Sequence, residues 1–147
     1  DDTGIILSNR AFSFNGPHLG STFKGNTAAK HTTNCVRVTT DHLEFIIGTS
    51  GGPVQSQTLA YVIYKIIAEQ CPVQTALSSP RFANLGRHPK TNGITYLSES
   101  AQTNPIFTCT HGLSDKFGVV QLAGINTLTG QVFAAADPRG SGVALAV

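Results

Sequence analysis

The stretch GTSGGP, Gly48–Pro53, separates two apolar segments of different kinds. HLEFIIG, before it, has the length and apolar composition of a buried strand, whereas SQTLAYVIYKIIAEQ, after it, repeats apolar residues at helical spacing, with Ser56 or Thr58 as the expected cap. A strand that passes into a helix through paired glycines exposes peptide N–H groups that stabilise negative charge. The same glycines can simply form a tight turn, and the residues alone leave both interpretations open.

Length and composition limit the architecture and the partners. The chain has 147 residues, enough for one hydrophobic core, and we expect a single domain spanning 1–147. Only 12% of the residues are charged while 40% are hydrophobic, so we expect a surface that is uncharged and polar or covered by another chain. The formal charge of +2 is small and the basic residues are scattered, so we expect no nucleic-acid partner.

The cysteines and histidines predict no metal site. Cys35, Cys71 and Cys109 are odd in number and widely spaced, which predicts buried free thiols rather than zinc ligands or a disulfide framework. None of the histidines has metal-ligand spacing, and surface or hydrogen-bonding roles are expected for all five: His18, His31, His42, His88 and His111.

Targeting patterns leave the compartment open. No apolar stretch approaches the length of a membrane span, and the N-terminus carries no signal-peptide pattern. Because the chain begins with Asp1 and contains no methionine, we expect a processed product or a partial chain.

The segments before and after GTSGGP predict two hairpins with helices between them in the chain. TNCVRVTT and HLEFIIG predict the first hairpin, with its second strand in the middle of a covered sheet. VQTALSS predicts a further turn or two of helix that Pro80 ends. FGVVQLAGI and QVFAAA predict a second hairpin across NTLTG.

The remaining segments carry weaker patterns. TGIILSN predicts a short strand, residues 13–30 predict a long loop, and ITYL is the only plausible strand between Arg81 and Pro105. Strands, central helices and then strands predict an α+β fold with at least one mostly antiparallel sheet covered by helices.

Four stretches in order resemble the C-terminal, small-subunit part of the γ-glutamyltransferase family of N-terminal-nucleophile hydrolases: GIILSNRAFSF, GTSGGPVQSQ, SPRF and AADPRGSG. The resemblance implies a four-layer α-β-β-α fold, completed by the large subunit cut from the same precursor. It also implies cleavage of a γ-glutamyl or related acyl amide through an acyl-enzyme, as in glutathione metabolism, without a cofactor.

The resemblance also assigns catalytic roles. It implies that the N–H groups of Gly51 and Gly52 bind the oxyanion of the tetrahedral intermediate. The family's nucleophile is a threonine whose free α-amino group acts as base, so it must be the first residue of its chain. Thr3 does not qualify, because its nitrogen lies in a peptide bond and the family's nucleophile strand lies well upstream of GIIL. We therefore expect that the nucleophile lies upstream and that this chain alone is inactive.

At four positions that bind the substrate in the glutathione-cleaving members of the family, this sequence has different residues. Arg10 and Ser13 replace an amide and the acid that holds the substrate's ammonium group, and His31 and Thr32 replace a Ser-Ser pair. The resemblance is therefore closest to the divergent γ-glutamyltransferase-like acylases, and these four residues are candidate substrate-binding residues. A solvated cation at Arg10 and structural hydrogen bonds at His31 and Thr32 are the alternatives.

Two further expectations follow. Arg139 of the ADPR stretch is expected to be a structural ion-pair partner of Asp137 or of a neighbouring acid rather than a catalytic group. For the whole chain, the alternative to an amidohydrolase or acyltransferase is a non-catalytic family member or trimmed subunit that binds a partner or ligand through the same cleft.

Overall fold

The computed structural model describes residues 34–87, 92–110 and 112–145, and these residues form two β-sheets and two α-helices. The predicted TGIILSN strand and the predicted loop over residues 13–30 lie outside the described residues. In chain order the elements are β1 (Cys35–Thr39), β2 (Leu43–Thr49), α1 (Gln55–Ile67), α2 (Val73–Ser78), β3 (Phe82–Arg87), β4 (Ile94–Ser98), β5 (Phe107–Cys109), β6 (Val120–Asn126) and β7 (Val132–Ala136). Two 3-10 turns, Gly52–Val54 and Asp115–Phe117, precede α1 and β6.

The larger sheet has the strand order β1-β2-β6-β7, and all its pairs are antiparallel. Both predicted hairpins are confirmed: β1 pairs with β2, and β6 pairs with β7. Strand β2 lies between β1 and β6, and Ile47 of β2 faces Leu122 of β6 in the register. The predicted α+β class with a mostly antiparallel sheet is therefore confirmed.

One face of this sheet packs against the two helices. Alternate residues of β2, such as Phe45 and Ile47, are buried because side chains in a strand point to opposite faces in turn. The other members of this core come from the helices and from β6 and β7: Leu59, Val62, Ile66, Ala76, Leu77, Val120, Leu122 and Ala135. Ile46 lies on the opposite face and is 57% exposed, so the described residues cover the sheet on one side.

The smaller sheet has the order β3-β4-β5, with β3 and β4 antiparallel and β4 and β5 parallel. A second apolar cluster packs this sheet against the two 3-10 turns: Val54, Ala83 and Phe117 are buried in it, and Leu97 packs against them. Val54 belongs to the 3-10 turn that begins α1, so this cluster connects the sheet directly to the GTSGGP segment.

Three local expectations were wrong. Neither Ser56 nor Thr58 caps α1, because the helix is entered through the Gly52–Val54 turn and its N-cap is Val54, without a side-chain cap. Strand β3 was missed, because its sequence FANLGR has no clear alternation and pairing with β4 forms it. The first strand of the second hairpin was predicted to start at Phe117 but starts at Val120. Phe117 instead ends a 3-10 turn, and Gly118 after it has φ +81°, which is not a strand conformation.

The cysteines were correctly expected to be free, but the expectation that they are buried was wrong. Cys35 and Cys109 are exposed and Cys71 is half-buried. Cys35 begins the edge strand β1 and Cys109 ends the short strand β5, and neither end is covered by other described elements.

Gly124→Ala is expected to lower the free energy of unfolding by about 1–3 kcal/mol through overpacking. A Cβ at Gly124 in β6 would lie 2.5 Å from the backbone oxygen of Glu44 and 2.5 Å from Cβ of Phe45. Gly48→Ala is the matched control, because a Cβ there would have no neighbour closer than 3.6 Å in the described part of the chain. Urea unfolding should show the loss for Gly124→Ala, whereas Gly48→Ala should be neutral or stabilising by up to about 1 kcal/mol. Equal midpoints for the two variants would contradict this account.

Candidate active site

The segment between β2 and α1 is a left-handed glycine turn. Gly51 has φ +117° and ψ +11°, and Gly52 has φ +53°, conformations that residues with a Cβ rarely adopt. The 3-10 turn Gly52–Val54 then leads into α1 at Gln55. The paired glycines thus form the tight turn that their sequence indicates, and the same geometry controls where their N–H groups lie.

Two consecutive peptide N–H groups of this turn have no acceptor among the described residues, those of Gly51 and Gly52. Pro53 has no N–H group, and the next N–H, that of Val54, donates to the carbonyl oxygen of Gly51 at 3.1 Å. The two groups lie at the N-terminal end of the helical segment, where the helix dipole favours negative charge. This arrangement is suited to bind an oxyanion.

The two glycines differ in their surroundings. A Cβ at Gly51 would lie 2.9 Å from Cα of Gly118 and 3.1 Å from Cγ2 of Val54, so this position has no room for a side chain. A Cβ at Gly52 would meet no atom of the described residues within 4 Å. Within the described residues, packing therefore excludes a side chain at Gly51, whereas Gly52 is exposed and leaves room for a ligand.

Two glutamine side chains fix the start of α1. The side-chain amide of Gln57 makes two hydrogen bonds of 2.9 Å with the backbone of Asn84 in β3, accepting from its N–H and donating to its carbonyl. Oε1 of the buried Gln55 accepts a 2.8 Å hydrogen bond from Nδ2 of Asn34, just before β1. These contacts tie the residues that follow the glycine turn to both sheets.

Four buried charged side chains form a cluster that reaches Gly118, the residue that packs against Gly51. Arg81 donates from Nη2 to Oδ2 of Asp137 at 2.6 Å, and Nη1 of Arg139 lies 3.0 Å from Oδ1 of the same carboxylate. Arg139 also forms a two-point ion pair with Glu99, and its Nε donates to Oε1 at 2.7 Å. All four side chains are at most 1% exposed. The expected ion pair of Arg139 with Asp137 is confirmed, and Glu99 is the neighbouring acid with which it also pairs.

Backbone N–H groups add further hydrogen bonds to the carboxylates of this cluster, whereas the buried Nε of Arg81 has no partner among the described residues. Glu99 accepts from the N–H groups of Arg81 at 2.9 Å and Ser114 at 2.7 Å, and Asp137 accepts from that of Val120 at 3.0 Å. Sequence reasoning missed Glu99, which directly follows β4 in a stretch without a clear pattern. Its pairing with Arg139 arises only when β4 and the end of β7 come together.

The pKa values in the cluster reflect burial and pairing. Burial by itself raises the pKa of the Glu99 carboxyl, but hydrogen bonds from Arg139 and from backbone N–H groups hold it below its usual value. The pKa of the Asp137 carboxyl is likewise held down against burial by N–H groups of Val120 and Arg139 and by the charge of Arg81. Burial lowers the pKa of Arg81, although Asp137 opposes the shift. Both carboxyls therefore stay ionised at neutral pH and balance the two guanidinium groups.

The other candidate site residues, Arg10, Ser13, His31 and Thr32, lie outside the described residues, so their assignment stays a prediction. Within residues 34–87, 92–110 and 112–145, no group of three or more His, Cys, Asp or Glu side chains is arranged to hold a metal ion. None of the helices described has the length and apolar character needed to cross a membrane.

No protein-family model matches the chain, and no curated protein sequence matches it significantly. Solved structures do share its fold. γ-Glutamyltranspeptidase from Pseudomonas nitroreducens, as the mutant W525D, matches with a TM-score of 0.64 and 20% identity over 86% of this chain and 68% of that chain.

Two further structures are similar. The transpeptidase CapD from Bacillus anthracis has a TM-score of 0.67 and 17% identity over 83% of this chain and 75% of its own. The T380A mutant of γ-glutamyltranspeptidase from Helicobacter pylori has a TM-score of 0.68 and 17% identity over 95% of this chain and 84% of its own. The chain thus has the fold of γ-glutamyltranspeptidases, as its sequence motifs implied.

Proposed function

We propose that this chain, which has the γ-glutamyltranspeptidase fold, is the C-terminal part of the small subunit of an acyl-transferring amidohydrolase. The observation that carries the proposal is the pair of N–H groups at Gly51 and Gly52, which have no acceptor in the described part of the chain. Donors that are held before reaction toward a developing oxyanion stabilise the transition state of acyl transfer.

The proposed reaction uses an N-terminal threonine on a strand upstream of Gly4–Leu7 as the nucleophile. Its hydroxyl oxygen attacks the amide carbonyl carbon while its own α-amino group takes the hydroxyl proton. The carbonyl oxygen becomes the oxyanion that Gly51 and Gly52 bind. Collapse of this intermediate breaks the C–N bond, the α-ammonium group returns the proton to the leaving amine, and an ester to the threonine remains. Water or a second amine then attacks the ester and releases the acyl group.

The proposal includes the large subunit of the same precursor as partner. The face of the larger sheet that carries Ile46 is exposed in the described residues, and a chain with 12% charged residues has little charge to solvate such a face. A second sheet on this face would complete the four-layer arrangement.

The proposed substrate is an acyl amide other than glutathione, which we expect to be a poor substrate. Ser13 offers a hydroxyl where a carboxylate would hold the substrate's ammonium group, and a charge-assisted hydrogen bond is about twice as strong as a neutral one. If Arg10 points into the cleft, its charge repels an ammonium group and attracts a carboxylate. We therefore propose a preference for glutaryl over γ-glutamyl groups.

The complete gene product should release p-nitroaniline with saturation kinetics from at least one of γ-glutamyl, glutaryl and simple acyl p-nitroanilides. An amine acceptor such as glycylglycine should raise the rate and yield the acylated acceptor, because it competes with water for the same acyl-enzyme. We expect kcat/KM to favour the glutaryl anilide, and Ser13→Asp to shift the ratio toward the γ-glutamyl anilide by roughly ten- to hundredfold.

Two outcomes would contradict the proposal. If no anilide is hydrolysed and no acyl-threonine appears by mass spectrometry, the chain belongs to a non-catalytic protein that uses the cleft for binding. Saturable hydrolysis by the isolated chain at the rate of the complete gene product would show that the nucleophile does not lie upstream.

A further inference from the structure

A short segment that begins with the last residue of the second 3-10 turn packs directly against the glycine turn. This segment, Phe117–Val119, is called the clasp below. Two hydrogen bonds connect it to Ser50: the Ser50 N–H donates to the Val119 carbonyl at 3.3 Å, and the Val119 N–H donates to Ser50 Oγ at 3.2 Å. These bonds immediately precede Gly51, so the clasp controls the path by which the chain enters the turn.

The clasp and the glycine turn interlock at two glycines. Just as a Cβ at Gly51 would meet Gly118, a Cβ at Gly118 would lie 2.6 Å from the carbonyl oxygen of Ser50 and 2.6 Å from Oγ1 of Thr49. Gly118 also has φ +81°. Because the Gly118 backbone contacts the Ser50 carbonyl directly, we expect a displacement of the clasp to move the Ser50–Gly51 peptide.

Two buried side chains, those of Thr58 in α1 and of Arg81 just before β3, donate hydrogen bonds to the carbonyl groups of the clasp. Oγ1 of Thr58, in the first turn of α1, donates to the Phe117 carbonyl at 2.7 Å. Nη1 of Arg81 donates to the Gly118 carbonyl at 2.9 Å and lies 3.4 Å from that of Phe117. Arg81 is itself fixed by Asp137 and by the Leu77 carbonyl, to which Nη2 donates at 3.0 Å.

We propose that Thr58 and Arg81 are positioning residues for the oxyanion donors Gly51 and Gly52, acting through the clasp. The inference rests on the proposed function of the glycine turn. Donors at a reacting centre must be held to within about 0.5 Å and 10–20° of the productive geometry. Thr58 and Arg81 bond the clasp, the clasp bonds Ser50, and Ser50 leads into Gly51. Neither side chain needs to touch the substrate for its loss to misalign the donors.

Thr58→Val is the most direct test, because valine has nearly the same shape as threonine but cannot donate to the Phe117 carbonyl. In the complete gene product this variant should lower kcat roughly tenfold with KM little changed, since a small misplacement of a reacting group is costly only in the transition state. Thr58→Ser retains the hydroxyl and should restore most of kcat. A buried threonine that served only to fill space would not show rescue by serine.

Arg81→Lys is the second variant. Lysine retains the charge that Asp137 requires, but its single ammonium cannot reproduce the planar fork that reaches Asp137, Leu77 and Gly118 together. Its kcat should fall further than that of Thr58→Val. Glu69→Gln is the control, because Glu69 forms a surface ion pair with Lys65 at the C-terminal end of α1, away from the clasp and the glycine turn, and its loss should leave kcat unchanged. If Arg81→Lys does not fold, Thr58→Val and Thr58→Ser decide the question.

Hydrogen exchange provides a readout that does not depend on activity. The peptide covering Gly48–Val54 should exchange faster in Thr58→Val than in the wild type or Thr58→Ser. Unchanged exchange, or unchanged kcat in Thr58→Val when Gly52→Ala does lower kcat, would overturn the positioning role. If Gly52→Ala itself leaves kcat unchanged, the proposed function of the turn fails, and hydrogen exchange alone then decides whether Thr58 positions it.

Discussion

Gly52→Ala in the complete gene product is expected to lower kcat by roughly 100-fold or more, with little change in KM. A Cβ at Gly52 meets no described atom within 4 Å, so the methyl group projects into the open space that a bound oxyanion would approach. A Cβ also disfavours φ +53°, and relaxation of the turn redirects the N–H groups. The ground-state substrate uses these donors little, so the loss falls on the transition state. Steady-state kinetics with the preferred anilide measures both constants.

Gly130→Ala is the matched control for this experiment. Gly130 lies between β6 and β7 with φ +73°, and a Cβ there also meets no described atom within 4 Å. Because alanine is strained at a positive φ, each variant should lose a similar free energy of unfolding, about 1–2 kcal/mol. Thermal unfolding measures this loss. Only Gly52→Ala should lose kcat. If the two variants have equal kcat, GTSGGP serves as a turn and not as an oxyanion site.

Asp137→Asn is expected to lower the free energy of unfolding by about 3–5 kcal/mol, because it leaves two buried guanidinium groups short of a counter-charge. The Asp137 side chain is 0% exposed and bridges Arg81 and Arg139, while its Oδ2 also accepts from the Val120 N–H. Asparagine has the same shape, so the loss reports charge and hydrogen bonding rather than a cavity. Guanidinium chloride unfolding, monitored by circular dichroism, measures the change.

Glu69→Gln provides the comparison for a surface pair. Glu69 lies 2.7 Å from Lys65, but the two side chains are 40% and 18% exposed, and surface pairs contribute about 0–1 kcal/mol. Asp137→Asn should therefore cost several times more than Glu69→Gln. Similar costs would mean that the buried cluster contributes no more than a surface ion pair and does not hold this part of the fold together.

Apolar periodicity and turn residues were sufficient to predict those helices and strands whose own sequence carries a clear pattern. The helical spacing of Leu59, Val62 and Ile66 predicts α1, and the length and apolar composition of HLEFIIG predict β2. Prediction failed for β3 because its hydrogen bonds go to β4 and to the side chain of Gln57, neither of which a local pattern reveals. The predicted burial of Cys35 and Cys109 was wrong because the exposure of a residue at a strand end depends on which other elements cover that end.

The candidate site shows the same division. The sequence by itself determined that a strand passes through paired glycines into a helix at Gly48–Pro53, because glycine content and apolar period are local properties. Only the tertiary structure decided that Gly51 has no room for a side chain while Gly52 has, because that depends on Gly118, far along the chain. It also decided that Arg81, Glu99, Asp137 and Arg139 share one buried cluster, since ionised groups leave water only where distant strands and helices supply their partners.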